Sequence, residues 1–483
     1  VINMNDEFSK VVAVVPSLSP DEKLPNTVKG LLDAGFRRVI VVDSPDPRIF
    51  EQAIFILRND MASGSGGVSS QQLVDQAVRI AKVMADNGVD MLNVSIGIGE
   101  SVEYIIPPAS VPDGWNADRA AAIKRAVGSR IPVAVVGRIC NRKTAENIIA
   151  SGKADLVAMG RALLADPFLP AKLAEGRDDE ILTCIGCNEG CTGMLNECRP
   201  ISCALNPRTG YEDDYPMTQA DAPKAVVVIG GGPAGCEAAL TAAQRGHKVV
   251  LFEATSTLGG LANIAALPPG KGVFATLGTY FSAMLPRAGV DVRLNTKADA
   301  DAVRALHPDH VIVATGGTPI VPRFCADSPV VLAQDILTGA AQAGSRVLVI
   351  GGGLVGSETA EFLADKGREV TVVELRDGIA LDMEYKTRQM LMPKLAALGV
   401  VCLTETEVLE IGCNGNLKVK TPYLEKELSG FDTVVVALGY RPDAALCADL
   451  AAADIDFVQV GDCKKVGKII NGVWEAFQLA YRI

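Results

Sequence analysis

The segment Ala225-Val-Val-Val-Ile-Gly-Gly-Gly-Pro-Ala-Gly235 runs five apolar residues straight into Gly230, Gly232 and Gly235. Such an unbroken apolar run suits a parallel strand buried on both faces. The G-x-G-x-x-G spacing that follows opens a helix. Gly230 permits the tight turn, Gly232 lets a pyrophosphate reach the backbone, and Gly235 lets helix and strand pack closely. The next strand, 248–252, ends in Glu253, at the distance expected of a ribose hydroxyl contact. A second copy starts at Arg346, sets Gly351, Gly353 and Gly356 at the same spacing, and ends its next strand in Glu374. The competing reading, a glycine-rich structural turn, does not explain two copies each with strand, helix and acid in order.

Two further signals agree. Ala314-Thr-Gly-Gly317, carrying Gly316, follows a strand at 310–313, and Val460-Gly-Asp462 precedes the last helix. In flavoproteins with two dinucleotide sites, an acid placed like Asp462 commonly meets the flavin ribityl chain. The expectation is an FAD-binding Rossmann-like domain, residues 223–344 and 441–483, with an NAD-binding Rossmann-like domain, 345–440, inserted in it. Glu374 would repel a 2′-phosphate, which favours NADH over NADPH, and Arg376 two residues on softens that preference.

Upstream, residues 184–222 form a loop and linker rich in Cys, Asn, Gly and Pro. Cys184, Cys187, Cys191 and Cys203 follow C-x2-C-x3-C-x11-C spacing. Three thiolates in one tight loop and a fourth from a returning segment can surround a [4Fe–4S] cluster. Zinc competes, but its sites more often come as two C-x2-C pairs. Cys198, inside the same loop, reads as a spare small residue.

The N-terminal part alternates strand and helix. Strands are expected near 53–58, 89–95, 131–136 and 154–159, with a helix at Gln71–Asn87. Gly137-Arg138 and Gly160-Arg161 follow the last two strands. Backbone amides and guanidinium groups at adjacent strand ends suit a phosphate, as at the last strands of a βα barrel. The alternative is a pair of surface arginines. Residues 1–52 read as an atypical βαβ segment, with strands at 11–16 and 38–43 around a helix near 22–34.

Composition narrows the partners. Of 483 residues, Lys and Arg number 46 and Asp and Glu 57, a net charge of −11. An acidic chain is poorly suited to nucleic acid or an anionic membrane surface. Apolar runs fall short of the roughly 20 residues of a membrane-spanning helix. The chain begins with Val1, in a polar, acidic stretch unlike a signal peptide. Twelve cysteines without an export signal point to the reducing cytoplasm. Three histidines, His247, His307 and His310, leave any chemistry in the first half without imidazole.

Val94-Ser95, Glu100-Ser101, Ile106-Pro107-Pro108, Val136-Gly-Arg-Ile139, Ala158-Met-Gly-Arg-Ala-Leu163, the cysteine loop and both fingerprints occur in that order. Together they resemble the old yellow enzyme-type NADH:flavin oxidoreductases that carry an iron–sulfur cluster. That family includes 2,4-dienoyl-CoA reductase, 2-enoate reductase and the bile-acid and flavonoid reductases of anaerobes. The resemblance covers about residues 59–483 and implies FMN in a (β/α)8 barrel, a [4Fe–4S] cluster, FAD and NADH. The implied reaction is reduction of a conjugated C=C bond in a small unsaturated substrate.

The departures from the family are specific. Only the C-terminal half of the barrel, residues 53–183, is recognisable, which puts FMN in doubt and points to a truncated or fused gene. Residues 1–52 resemble instead the opening of nucleotide-sugar glycosyltransferases, with Asp43 at a strand end. Gly99 stands where dienoyl-CoA reductases carry a histidine, which places the chain nearer the enoate and bile-acid branch. Tyr104 is the proton-donor candidate, against the reading of an ordinary packed aromatic. The reading from a different class is an FAD and iron–sulfur diaphorase whose truncated barrel holds no FMN. Substrate and homo-oligomerisation stay open.

Overall fold

The computed structural model describes residues 12–17, 39–43, 52–57, 70–96, 102–325, 328–412 and 416–483. The chain divides into two compact units, with the boundary between Leu163 and Leu164.

The first unit is built on six strands: β1 (Val12–Ser17), β2 (Val39–Asp43), β3 (Gln52–Leu57), β4 (Met91–Ile96), β5 (Val133–Val136) and β6 (Leu156–Ala158), in the order β2-β1-β3-β4-β5-β6. From β3 to β6 all pairs are parallel, with helices Ser70–Asp86, Ala117–Val127 and Arg142–Ala150 between them. Periodicity explains the packing. Leu92, Val94 and Ile96 alternate along β4 into the core, where they join Ala77, Ile80, Ala81 and Met84 of the first helix. Asn141 starts the third helix by accepting the N–H of Thr144 over 2.9 Å.

β1 and β2 pair in parallel, as a βαβ opening requires; the helix expected near 22–34, like Gly99, Glu100 and Ser101, lies outside the described residues. β1 meets β3 antiparallel. In a closed (β/α)8 barrel every strand is parallel. The edge of β3 is thus taken by a strand of opposite sense, and the unit is a partial barrel extended by a βαβ-like pair.

The second unit contains the same sheet plan twice. Its first parallel sheet runs Val458–Gln459, His310–Val313, Ala225–Ile229, Lys248–Phe252, Asp291–Arg293. Its second runs Val330–Leu332, Thr433–Val436, Arg346–Ile350, Glu369–Val373, Val401–Leu403. In each, the fingerprint strand is central and the strand ending at the acid is its neighbour. The chain crosses between the two plans through an antiparallel pair, Gly317–Pro319 with Tyr440–Pro442. This is an insertion, and because Val330–Leu332 lies in the second sheet, that sheet begins ahead of residue 345.

A small antiparallel sheet, Glu407–Ile411, Leu417–Lys420 and Glu425–Leu428, packs Ile411, Leu417 and Val419 against Leu348 and Ile350. The last helix, Ile469–Tyr481, buries Val473, Ala476, Phe477 and Ala480 and packs along helix Pro233–Gln244. No helix among the described residues is long and apolar enough to cross a membrane.

Candidate functional site

At the first fingerprint, Gly230 has φ 114°, and a Cβ there would sit 2.2 Å from the carbonyl oxygen of Ala314. A Cβ on Gly235 would lie 1.9 Å from the oxygen of Gly230. Gly232 has open space beside it and caps helix Pro233–Gln244 with no side-chain partner. The two tight glycines bring strand and helix together, and the open one leaves the helix N-terminus free to receive a phosphate. Glu253 accepts the Gly231 N–H over 2.6 Å and the Thr255 N–H over 2.7 Å. Gly316 (φ 80°) lies in the turn between strands His310–Val313 and Gly317–Pro319, and Asp462 accepts the Gly467 N–H over 3.0 Å, with burial pushing its carboxyl upward.

The second fingerprint repeats this with one change. Gly351 (φ 101°) and Gly356 are closed against Ala437 and the Gly351 oxygen, and Glu374 accepts the Gly352 N–H over 2.6 Å. Burial opposes the Glu374 charge, but the amides of Arg376 and Gly352 and the Arg376 guanidinium hold it below its ordinary value. The change lies at the helix: Asp382 accepts the Leu354 N–H over 2.9 Å, and a Cβ on Gly353 would be 3.3 Å from that carboxylate. Arg376 donates to Glu374 over 3.2 Å and lies 4.0 Å from Asp382. Lys271 and Glu358 pair over 2.6 Å, linking a loop of the FAD-type half to a helix of the inserted half.

In the cysteine loop, Asn188 takes a left-handed φ of 61° and Glu189–Gly193 form a π-helical turn. The Gly190 oxygen accepts the backbone N–H of Ser202 over 2.9 Å and its hydroxyl over 3.1 Å, and a Cβ on Gly190 would lie 2.8 Å from the amide of Ala204. The returning segment is thereby clamped onto the loop, which brings Cys203 back to the other three cysteines. Burial, then the nearby Cys203, Cys184 and Cys191, push Cys187 well up; burial foremost pushes Cys203 to about 12. Backbone amides point at sulfur, with Leu205 N 3.4 Å from the Cys203 sulfur. Cys198 is exposed, and among the described residues no group of His, Cys, Asp and Glu is arranged to hold a single metal ion.

Two contacts bind this loop to the last helix: Trp474 Nε1 donates to the Cys203 oxygen over 2.9 Å, and Lys468 reaches Glu189 over 2.7 Å. Neither contact, nor the Asp382 cap, was read from the sequence. Trp474, one of two tryptophans in the chain, was the available signal.

At the strand ends of the first unit, Arg138 has φ 47° and is buried. Its guanidinium donates to Asp113 over 2.7 and 3.1 Å and to the Pro108 oxygen over 3.1 Å. Arg161 donates to the neighbouring Pro107 oxygen over 2.8 Å. Both arginines therefore grip the Ile106-Pro107-Pro108 loop. Gly137 (φ 147°) lies where a Cβ would be 3.1 Å from Trp115 Nε1, a buried donor that, like the buried Asn116 Oδ1 acceptor, has no partner among the described residues. Such orphaned groups at strand C-terminal ends are what a bound ligand satisfies. Tyr104 is half-buried, its ring 5.6 Å from that of Trp115.

Residues 58–180 match the NADH:flavin oxidoreductase / NADH oxidase family, and residues 224–462 match pyridine nucleotide-disulphide oxidoreductases. The chain is 42% identical over 426 residues to NADH oxidase of Thermoanaerobacter brockii, covering 86% of this chain and 65% of that protein. It is 31% identical to cinnamate reductase of Clostridium sporogenes, covering 85% of this chain and 62% of the relative. A solved 2-naphthoyl-CoA reductase in complex with 2-naphthoyl-CoA superposes with a TM-score of 0.82 at 29% identity, over 92% of this chain and 65% of that one. The chain spans 62% to 67% of the length of four curated relatives it matches, and 45% to 56% of four others.

Proposed function

Because the chain belongs to the old yellow enzyme-type NADH:flavin oxidoreductase family, we propose that it is an NADH-dependent flavin and iron–sulfur reductase of conjugated C=C bonds. The observation that carries this reading is the cysteine loop. Four thiols gather in it beside the FAD-type fingerprint domain, which holds the loop through the bond between Trp474 and Cys203. Burial, foremost, pushes the Cys187 and Cys203 thiols up, so a cationic iron–sulfur core is what would stabilise them as thiolates. Four cysteines around one zinc ion more often come as two C-x2-C pairs; the C-x2-C-x3-C-x11-C spacing of Cys184, Cys187, Cys191 and Cys203 is what supports the larger cluster over zinc.

The chemistry supplied by the bound groups is hydride acceptance from NADH, single-electron relay, and delivery to an activated alkene. The protein's part is positioning. The N–H groups at Gly232 would hold the FAD pyrophosphate, with Glu253 at its ribose and Asp462 at its ribityl chain. Gly351, Gly353 and Gly356 with Glu374 would hold NADH. Cys184, Cys187, Cys191 and Cys203 would ligate the cluster. For FMN, the backbone at Gly137-Arg138 and Gly160-Arg161 would hold the phosphate, with Arg161 the charged partner, since Arg138 is committed to Asp113. A conjugated substrate is supported by the names of relatives, cinnamate reductase and 2-naphthoyl-CoA reductase.

A second reading, an FAD and iron–sulfur diaphorase passing electrons to an external acceptor, is favoured by the antiparallel strand on the edge of β3, where a barrel would continue in parallel. Acid-released flavin separates the two. Equal FMN and FAD, with anaerobic NADH oxidation driven by cinnamate, supports the reductase. FAD alone, with NADH oxidised only by an artificial acceptor, overturns it in favour of the diaphorase.

A further inference from the structure

Lys386 is the bulkiest fully buried side chain of the described residues, 1% exposed. It is the second residue of helix Tyr385–Ala397 in the inserted domain, yet its ammonium donates to the hydroxyl of Thr192, next to Cys191, over 3.1 Å. A buried ammonium is costly unless an opposite charge compensates it. Its position is also the wrong end of a helix for a cation, because the first turn carries the positive end of the macrodipole. The carboxylate nearest to hand, Glu384, lies 3.6 Å away, too far for a hydrogen bond. Its other oxygen caps the helix, accepting from the Thr387 N–H over 3.0 Å and the Thr387 hydroxyl over 3.2 Å. Glu384 pairs with the ammonium without a hydrogen bond, and Glu189, which interacts with Glu384, is taken by Lys468 over 2.7 Å, so the desolvated cation at the cysteine loop is only partly compensated.

We infer that Lys386 is the counter-charge of the iron–sulfur cluster, reaching from the nicotinamide-type domain to raise the cluster's reduction potential. The inference rests on the cluster reading above. Four thiolates around an iron–sulfur core leave net negative charge, which grows by one unit on reduction, so a fixed cation stabilises the reduced form more than the oxidised one. Thr192 holds the ammonium at the cysteine turn, and Glu384 attenuates its charge without cancelling it. Lys386 is accordingly a positioning and tuning residue, touching no substrate.

The test is a redox titration of the holoprotein followed by electron paramagnetic resonance, with iron and sulfide assayed in each sample. Lys386→Met should keep its iron and titrate at a more negative potential, by about a tenfold change in the reduced-to-oxidised ratio, or about 59 mV for one electron. Glu384→Gln keeps an acceptor for the helix cap and should move the potential the opposite way. Lys386→Arg should restore the wild-type value. Opposite shifts from two neighbours are not what a packing role produces. Iron-loaded variants with unmoved potentials, or with both shifted alike, overturn the inference while leaving the cluster intact. Wild-type protein without iron and sulfide overturns the cluster reading and this one with it. A Lys386→Met chain that loses its iron is judged on Glu384→Gln and Lys386→Arg.

Discussion

Trp474 donates its indole N–H to the carbonyl oxygen of Cys203 over 2.9 Å, joining the last helix of the FAD-type domain to the most distant of the four clustered cysteines. The ring is held edge-on by Tyr211, with centroids 5.4 Å apart. Removing the donor strands a partly buried carbonyl at a cost of about 1 kcal/mol. Trp474→Phe should therefore release iron to a chelator several-fold faster than wild type while FAD content stays unchanged. Equal release rates would show that Cys203 is held without this bond.

The paired arginines at the strand ends should part company on mutation. Arg138→Ala removes a buried guanidinium from Asp113, whose other oxygen already accepts from Asn141 over 2.8 Å. Asp113 is a quarter exposed and keeps Asn141, so losing the guanidinium costs about 1–3 kcal/mol, and this variant should melt several degrees lower. Arg161→Ala should stay folded and lose FMN while keeping FAD. Thermal melts and flavin chromatography on both variants read the two effects; FMN retained by Arg161→Ala would remove that residue from the phosphate site.

The elements legible in the sequence are those whose chemistry is written in the backbone. Gly230 and Gly351 must be glycine because the turn needs positive φ and a carbonyl stands where a Cβ would go, so spacing alone locates them. Glu253 and Glu374 follow from strand ends, which hydrophobic runs mark well. Long side chains are different, because their partners come from segments far away in the chain. Arg138 reads as a phosphate ligand until Asp113 is seen to take its fork. No local pattern marks Lys386, whose partner Thr192 stands 194 positions earlier. The antiparallel joint of β1 to β3 was hidden for the same reason, since strand sense is a property of the sheet.

Glu237 predicts a pH effect of known sign. It lies on helix Pro233–Gln244, accepts the Thr241 hydroxyl over 3.1 Å, and is pushed by burial to about 7. Its folded value exceeds its unfolded one near 4.5, so the folded chain binds the proton more tightly. Stability then falls as pH rises from about 4.5 to about 7 and is level above that, a linkage of about 1–3 kcal/mol with part of the residue reaching solvent. Glu237→Gln keeps the acceptor for Thr241 and removes the penalty. It should melt higher than wild type at pH 8 and equally at pH 4.5; a gain independent of pH would refute the assignment.

Cofactor preference follows from three side chains at the second fingerprint. Glu374 is buried, ionised below its ordinary range and fixed by the amides of Gly352 and Arg376, so it faces an incoming ribose as a preset anion. Arg376 is the group that would soften its repulsion of a 2′-phosphate. The guanidinium is drawn toward Glu374 at 3.2 Å and Asp382 at 4.0 Å, so a phosphate must compete with two carboxylates for it. A charge clash of this kind commonly discriminates by about 1–3 kcal/mol, roughly tenfold to a hundredfold. NADH should therefore bleach the bound FAD at least tenfold more efficiently than NADPH, in a stopped-flow assay that requires neither the partial barrel nor a substrate. Glu374→Ala should narrow that ratio by freeing Arg376, although the lost contact to Gly352 will weaken binding of both nucleotides. Asp382→Asn, which releases Arg376 without touching the ribose site, should narrow it through NADPH alone. Faster bleaching by NADPH in the wild-type chain would overturn the assignment of Glu374.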